Sequence, residues 1–212
     1  MMEVIQMPLG PLQTNGYLLH NERKEAIMID PGGNPEKVLS FLENEQLNLM
    51  AIVLTHAHFD HIGGINGILE QRKVPVYVHK KEEEWLIDPA KNGSGRFAGI
   101  TPIIVNGNID TIEGDKEFQI GSFVFHMLET PGHSPGSVSF YLPEESVIFS
   151  GDVLFQGSVG RTDLPGGNTD TLLKSIHDKL LVLPDETIVA NGHGPATTIG
   201  DEKESNPFLN GF

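Results

Sequence analysis

Short apolar runs separated by Gly, Pro and Asn turns make up most of the chain. Val4 to Met7, Tyr17 to Leu19 and Ala26 to Ile29 read as strands, the last two joined by the polar turn Asn21-Glu22-Arg23-Lys24. Asp30-Pro31-Gly32-Gly33-Asn34 stops that sheet. Asn34 then reads as a helix N-cap with Pro35 at the first helical position, and Val38, Leu39, Phe41 and Leu42 supply a helical stripe. Met50 to Leu54 is apolar and β-branched, which predicts a buried strand ending at Thr55. Ile65, Ile68 and Leu69 give the segment beyond it an apolar helical face.

Val74 to Val78 is a further apolar strand, and Lys80 to Leu86 a short charged helix with Trp85 and Leu86 turned inward. Asn92 to Gly99 is rich in Gly and small polar residues and reads as a mobile loop near a mouth or edge. From Ile109 to Leu142 the pattern is short strands and turns, with Phe123, Phe125 and Met127 on one face. A last helix near Asp170 to Leu181 buries Leu172, Leu173, Ile176 and Leu180, and the tail from Asp201 is short. Tyr17 to Asp30 (strand, charged turn, apolar strand, Asp) is echoed by Val138 to Asp152, which suggests two β-rich halves with helices outside.

The chemistry gathers where these strands end. Thr55-His56-Ala57-His58-Phe59-Asp60-His61 packs imidazoles and a carboxylate into a span too short for a solvated charge run. On extended backbone His56, His58 and Asp60 share one side while His61 points elsewhere, so two neighbouring ions become possible. Three more donors follow apolar runs in the same way: His133 in Thr130-Pro131-Gly132-His133, Asp152 in Ser150-Gly151-Asp152, and His193 in Asn191-Gly192-His193-Gly194. Surface histidines or a tag remnant fit poorly, because tags lie at termini and lack a flanking buried strand.

This set, in this order, resembles the metallo-β-lactamase fold superfamily, and within it the glyoxalase II-like thioester hydrolases. The resemblance implies a four-layer αβ/βα sandwich of two mixed β-sheets with helices on the outer faces, formed as one hydrolase domain over 1–212. It further implies one metal on His56, His58 and His133, a second on Asp60, His61 and His193, and Asp152 bridging the two, with Asp60 and Asp152 as the catalytic carboxylates. Members named for β-lactam hydrolysis carry a Cys where Asp152 stands, and this chain has no Cys. Full-length glyoxalase II enzymes add a C-terminal helical domain that grips glutathione, and the chain ends soon after His193 without one. Arg161 falls where these enzymes meet a substrate carboxylate, and a salt bridge to Asp163 is the equally weighted alternative. Phe155 begins the same Gly-rich stretch, which is expected to line the cleft. Asp30, at a strand end facing the ligand run, either orients a ligating imidazole or is an ordinary turn residue. His20, His79, His126 and His177 are read as structural.

Nitrogen and oxygen donors of this kind suit zinc first, with iron or manganese as alternatives. Two ions sharing Asp152 would share a water whose pKa falls toward about 7, so that a bridging hydroxide attacks without a side-chain nucleophile. A thiol, with pKa about 8.5, leaves without a general acid, whereas an amine does not. This favours thioesters over amides, and the resemblance implies hydrolysis of a hydroxyacyl thioester such as S-lactoylglutathione as the activity. A persulfide dioxygenase-like iron oxidoreductase and a lactonase of the same fold are the alternatives. The net charge of −15 argues against nucleic acid and anionic membranes as partners. No apolar run approaches the roughly 18 residues of a membrane span. With no Cys for disulfides and no signal-like start at Met1-Met2-Glu3, a cytoplasmic location is expected.

Overall fold

The structure, a computed structural model, describes residues 2–209; Met1 and residues 210–212, which the 1–212 domain takes in, lie outside them. The chain packs as two compact units, the first running through Ile112 with Ile120–Phe123 added, the second comprising Glu113–Gln119 and the chain from Val124.

The first unit holds a six-stranded mixed sheet in simple sequential order. Strands β1 (Met2–Leu9), β2 (Thr14–Asn21) and β3 (Glu25–Ile29) are joined antiparallel; β4 (Asn48–Val53), β5 (Val76–His79) and β6 (Ile109–Ile112) then run parallel to β3. The hairpin strands extend several residues beyond their apolar centres, because the register carries through polar pairs such as Gln6 with Tyr17 and Glu3 with His20. Helices α1 (Pro35–Asn44), α2 (Phe59–Ile62), α3 (Ile65–Gln71) and α4 (Pro89–Asn92) connect the parallel strands. Val38, Leu42, Ile65 and Ile68 of the helices share one core with Leu18, Met28, Ile52 and Leu54. That is the stripe-on-sheet burial the periodicity predicts.

Two local expectations are corrected here. Asn34 precedes α1 in the left-handed region (φ 46°), and its side chain does not cap the helix. It accepts from the Gly10 N–H at 2.8 Å and donates to Glu36 at 3.0 Å, so it ties the β1–β2 turn down instead. The stretch from Asn92 is less loose than its composition suggests. Asn92 and Ser94 are fully buried, Asn92 donating to the Trp85 and Ile103 carbonyls and accepting from Ser94.

The second sheet repeats the plan with β7 (Lys116–Ile120), β8 (Phe123–Glu129), β9 (Val138–Leu142), β10 (Val147–Gly151), β13 (Ile188–Asn191) and β14 (Thr197–Thr198), ordered β14-β13-β10-β9-β8-β7. A separate hairpin joins β11 (Leu154–Phe155) to β12 (Ser158–Val159). In β8 the side chains alternate as expected, Phe123, Phe125 and Met127 buried and Val124 and His126 exposed. The late helix forms as α5 (Thr169–Ser175) and continues over Ile176–Leu180 as a π-helical segment. Leu172, Ile176 and Leu180 lie in one core with Ile148 and Val189. The tail is more than a short end, since α6 (Ile199–Ser205) is capped by Thr198, whose hydroxyl accepts from the Asp201 N–H. Thus both units contain an antiparallel hairpin, β2–β3 or β9–β10, whose second strand gains a parallel neighbour, β4 or β13. Two mixed sheets with helices are what the resemblance implies, where the residue pattern alone predicts only a mixed α/β domain.

Tyr17 sits buried in β2, and burial first, then the nearby Asp30 charge, pushes its phenol well above the ordinary value of about 10. A raised folded pKa contributes stability that is complete below about pH 10 and is lost as pH rises further. Tyr17→Phe should therefore show the same phenolate absorbance as the parent at pH 11, and a step smaller by one tyrosine would contradict this burial.

Candidate metal centre

In the first unit β4 delivers the histidine run from its carboxyl end. His58 keeps extended backbone (φ −70°, ψ 150°) as the cap of α2, and the His61 N–H closes the turn on its carbonyl at 2.9 Å. The expectation that Asp60 continues the extended alternation with His56 and His58 is therefore corrected. Helix begins at Phe59, so Asp60 and His61 are neighbouring helical residues, with His61 Nε2 3.7 Å from Asp60 Oδ2. Asp60 also accepts from the Thr14 hydroxyl at 3.1 Å, and all four ligand candidates of this run are buried.

Asp30 organises the run from below. It is 2% exposed and, unusually for a non-glycine residue, left-handed (φ 49°). Its carboxylate accepts the Thr55 N–H at 2.8 Å, the Thr55 hydroxyl at 2.6 Å and His61 Nδ1 at 2.9 Å. These contacts fix two tautomers. The single hydroxyl proton of Thr55 goes to Asp30, so Thr55 Oγ1 accepts from His56 Nδ1 at 3.1 Å, and His61 Nδ1 donates to Asp30. Both rings then carry their lone pair on Nε2, the arrangement a metal-binding imidazole needs. Donor atoms of Asp30, His56 and His61 also lie within 4.8 Å of one another, close enough to share an ion. With its oxygens already engaged by Thr55 and His61, Asp30 is better suited to orienting those rings than to ligating.

In the second unit His133 follows β8 through Gly132, whose φ of 134° and whose approach to the Leu172 backbone, 2.3 Å from a notional Cβ, leave room for no side chain. His133 Nδ1 donates to the Arg161 carbonyl at 2.8 Å, so its lone pair also falls on Nε2. Asp152 follows β10 by way of Gly151 (φ 52°). Its Oδ2 stands 3.7 Å from His133 Nε2 and 3.5 Å from His193 Nε2, so one carboxylate oxygen faces two imidazoles. His193 follows β13, and the Gly192 N–H bonded to the Gly151 carbonyl at 2.8 Å ties its turn to that of Asp152.

Phe155 reaches His193, with ring centroids 6.3 Å apart. The exposed Arg161 side chain makes a two-pronged ion pair with Asp163, Nε and a terminal nitrogen each 2.7 Å from an oxygen. The guanidinium holds the Asp163 carboxyl down at about 2. Of the two readings the sequence leaves for Arg161, the structure displays the ion pair, while its carbonyl serves His133. Ser134 bonds Ser137 at 2.7 Å and caps its own turn.

A family model described as the metallo-beta-lactamase superfamily matches residues 9–193. The chain belongs to that superfamily. It is 50% identical to a probable metallo-hydrolase of Bacillus subtilis, YqgX, over 98% of this chain and 97% of that one. It is 39% identical to the hydroxyacylglutathione hydrolase GloC of Haemophilus influenzae over 99% of both. Among solved structures, the B3 metallo-β-lactamase BLEG-1 matches at 54% identity with TM-score 0.94 over the full length of both chains. TTHA1623 in a di-iron-bound form matches at 42% with TM-score 0.87, over 97% of this chain and all of that one. Membership places the chain among metallo-hydrolases, and its described residues include groups of histidine and aspartate close enough to hold a metal ion. Among the described residues no helix is long and apolar enough to cross a membrane.

Sequence reasoning misses several residues that hold this superfamily's motif in place here. Glu82 is fully buried and accepts the Ala57 N–H at 2.6 Å; its spacing of three and four residues from Trp85 and Leu86 is the signal that it shares their inward face. Thr14, against Asp60, carries no such signal. Gly32 and Gly160 are required by close approach. A Cβ at Gly32 would lie 2.0 Å from the Asp60 carbonyl oxygen, and one at Gly160 1.9 Å from that of Asp152. Gly32→Ala and Gly160→Ala should each cost on the order of 1–3 kcal/mol and lower metal retention, because the displaced backbone carries a ligand candidate. Melting curves and metal analysis check this; parent-like values for both would show that the backbone yields without strain.

Proposed function

We propose that the chain is a dinuclear metal-dependent thioesterase acting on a hydroxyacyl thioester of the S-lactoylglutathione kind. In this reading His56, His58 and His133 hold one ion, Asp60, His61 and His193 hold the other, and Asp152 serves both. The whole chain, 1–212, then acts as one hydrolase domain. The observation that carries the reading is the Nδ1 anchoring of His56, His61 and His133 by Thr55, Asp30 and the Arg161 carbonyl, which presents Nε2 as the basic nitrogen of each. The position of Asp152 Oδ2 against His133 and His193 supports a shared ligand.

The donor set fits divalent ions, being imidazole and carboxylate with no thiolate, and zinc, iron and manganese all suit it. Bound there, such ions supply Lewis acidity and bring the pKa of water toward about 7. The chain's own residues do the rest. Asp60 and Asp152 bring negative charge that offsets two cations, and the anchored rings spare the site reorganisation during reaction. A thiol leaves as thiolate without a proton donor, which matches a site built of ligands alone. The kinship with GloC over the full length of both chains supports a thioester. Phe155, beside His193, and Arg161 would face the acyl or thiol portion; for an anionic substrate Arg161 must first leave Asp163.

A second reading, β-lactam hydrolysis, draws on the 54% identity to BLEG-1 and stands against the Asp152-for-Cys difference noted above. One preparation tests both. Metals are quantified and the same sample is assayed for thiol release from lactoylglutathione and other thioesters, and for loss of a β-lactam chromophore. Thiol release with two metals per chain is the expected result. Lactam turnover without thiol release selects the second reading, and oxygen uptake on a persulfide with one iron per chain overturns both. Asp152→Ala should lose at least about one metal equivalent and 10²-fold or more in rate; full activity in that variant would remove the shared-ligand role.

A further inference from the structure

Glu82 lies in the 3₁₀ segment Lys80–Ile87 and has no solvent exposure. A carboxylate stripped of water is costly unless hydrogen bonds replace its hydration. Its Oε2 accepts from the N–H of Ala57, itself fully buried, at 2.6 Å. Ala57 is the spacer between His56 and His58, so this bond fixes the peptide plane between His56 and Ala57, the first of the two that separate the histidines. Two residues earlier Asp30 holds the Thr55 N–H at 2.8 Å. The run is therefore held at residues 55 and 57 by two buried carboxylates that come from different elements. Trp85, three residues beyond Glu82, places its ring 5.5 Å from that of His58. One short segment thus touches both the spacer and the second imidazole.

We infer that Glu82 is a positioning residue for the His56/His58 pair, setting the angle at which the two imidazoles meet an ion and hence the affinity of that site. A carboxylate suits the task better than an amide, because its bond to the N–H is charge-assisted and stronger. The inference rests on His56 and His58 being ligands and is independent of the substrate.

Cobalt binding tests it. Parent, Glu82→Gln and Glu82→Ala proteins are stripped with chelator, melted without metal, then titrated with Co²⁺ while the visible d–d absorption is followed. Glu82→Ala should bind one equivalent about 10–100-fold more weakly with an altered band, and the other as the parent does. Glu82→Gln keeps an oxygen acceptor and should show a smaller loss at the same equivalent. If Glu82→Ala does not fold, the Gln variant decides: a weakened, spectrally shifted single equivalent supports the role. Affinity and spectrum unchanged in the folded variants, even with a lowered melting point, overturn it, as does equal weakening of both equivalents. Neither result bears on thiol release by the parent, so this inference and the thioesterase reading fail separately.

Discussion

The contact on which the histidine run depends is the buried Asp30 carboxylate. Three donors converge on it, two from Thr55 and one from His61, and it reaches them from a left-handed backbone that a non-glycine residue rarely adopts. Each charge-assisted bond is worth about 1.5–3 kcal/mol, enough together to outweigh the roughly 1–3 kcal/mol of such a conformation. The bonds also join the end of β3 to the end of β4 and to α2. One side chain thereby holds two strand ends together and sets the His61 tautomer directly and the His56 tautomer through Thr55. Removing it would leave buried N–H groups without acceptors, a larger loss than the bonds alone.

The strands and the residues of the candidate site that follow them are legible in the sequence for one physical reason. Every ligand candidate except the Asp60–His61 pair follows an apolar strand through a short bend, and strand runs bounded by glycine are a strong local signal. Asp60 and His61 misled because four helical residues are too few to show a period. The helix is dictated by its surroundings, with the Gly64 N–H bonded to the Pro31 carbonyl and Gly32 pressed against Asp60. The Asn34 side chain departs from its expected cap for a similar cause, since the β1–β2 turn offers it a better partner. Helix α6 was hidden because its polar sequence gives no stripe; a Thr cap and buried Glu202, which accepts from Thr197, Asn206 and the Gly157 N–H, hold it.

The echo between Tyr17–Asp30 and Val138–Asp152 is one of construction. In each unit a tight hairpin leads to an acidic residue just past its second strand, reached through positive φ at Asp30 itself or at Gly151. The same bend yields different roles, because Asp30 turns toward backbone and hydroxyl donors while Asp152 turns toward imidazoles. Where the chain carries glycine at the bend, the acid that follows is released from the strand. Where the acid itself takes the bend, it stays locked to its neighbours.

The pairing of Arg161 with Asp163 bears on which molecules the Gly-rich stretch can attract. A guanidinium that already faces its own counter-ion presents almost no net field, in a protein whose formal charge is −15. In the proposed reading, where Arg161 faces the substrate, an anion gains only by exchanging one carboxylate for another, nearly neutral in free energy, and discrimination there falls to shape and apolar contact. Added salt, which weakens such exposed pairs and long-range repulsion alike, would then ease the approach of negatively charged molecules.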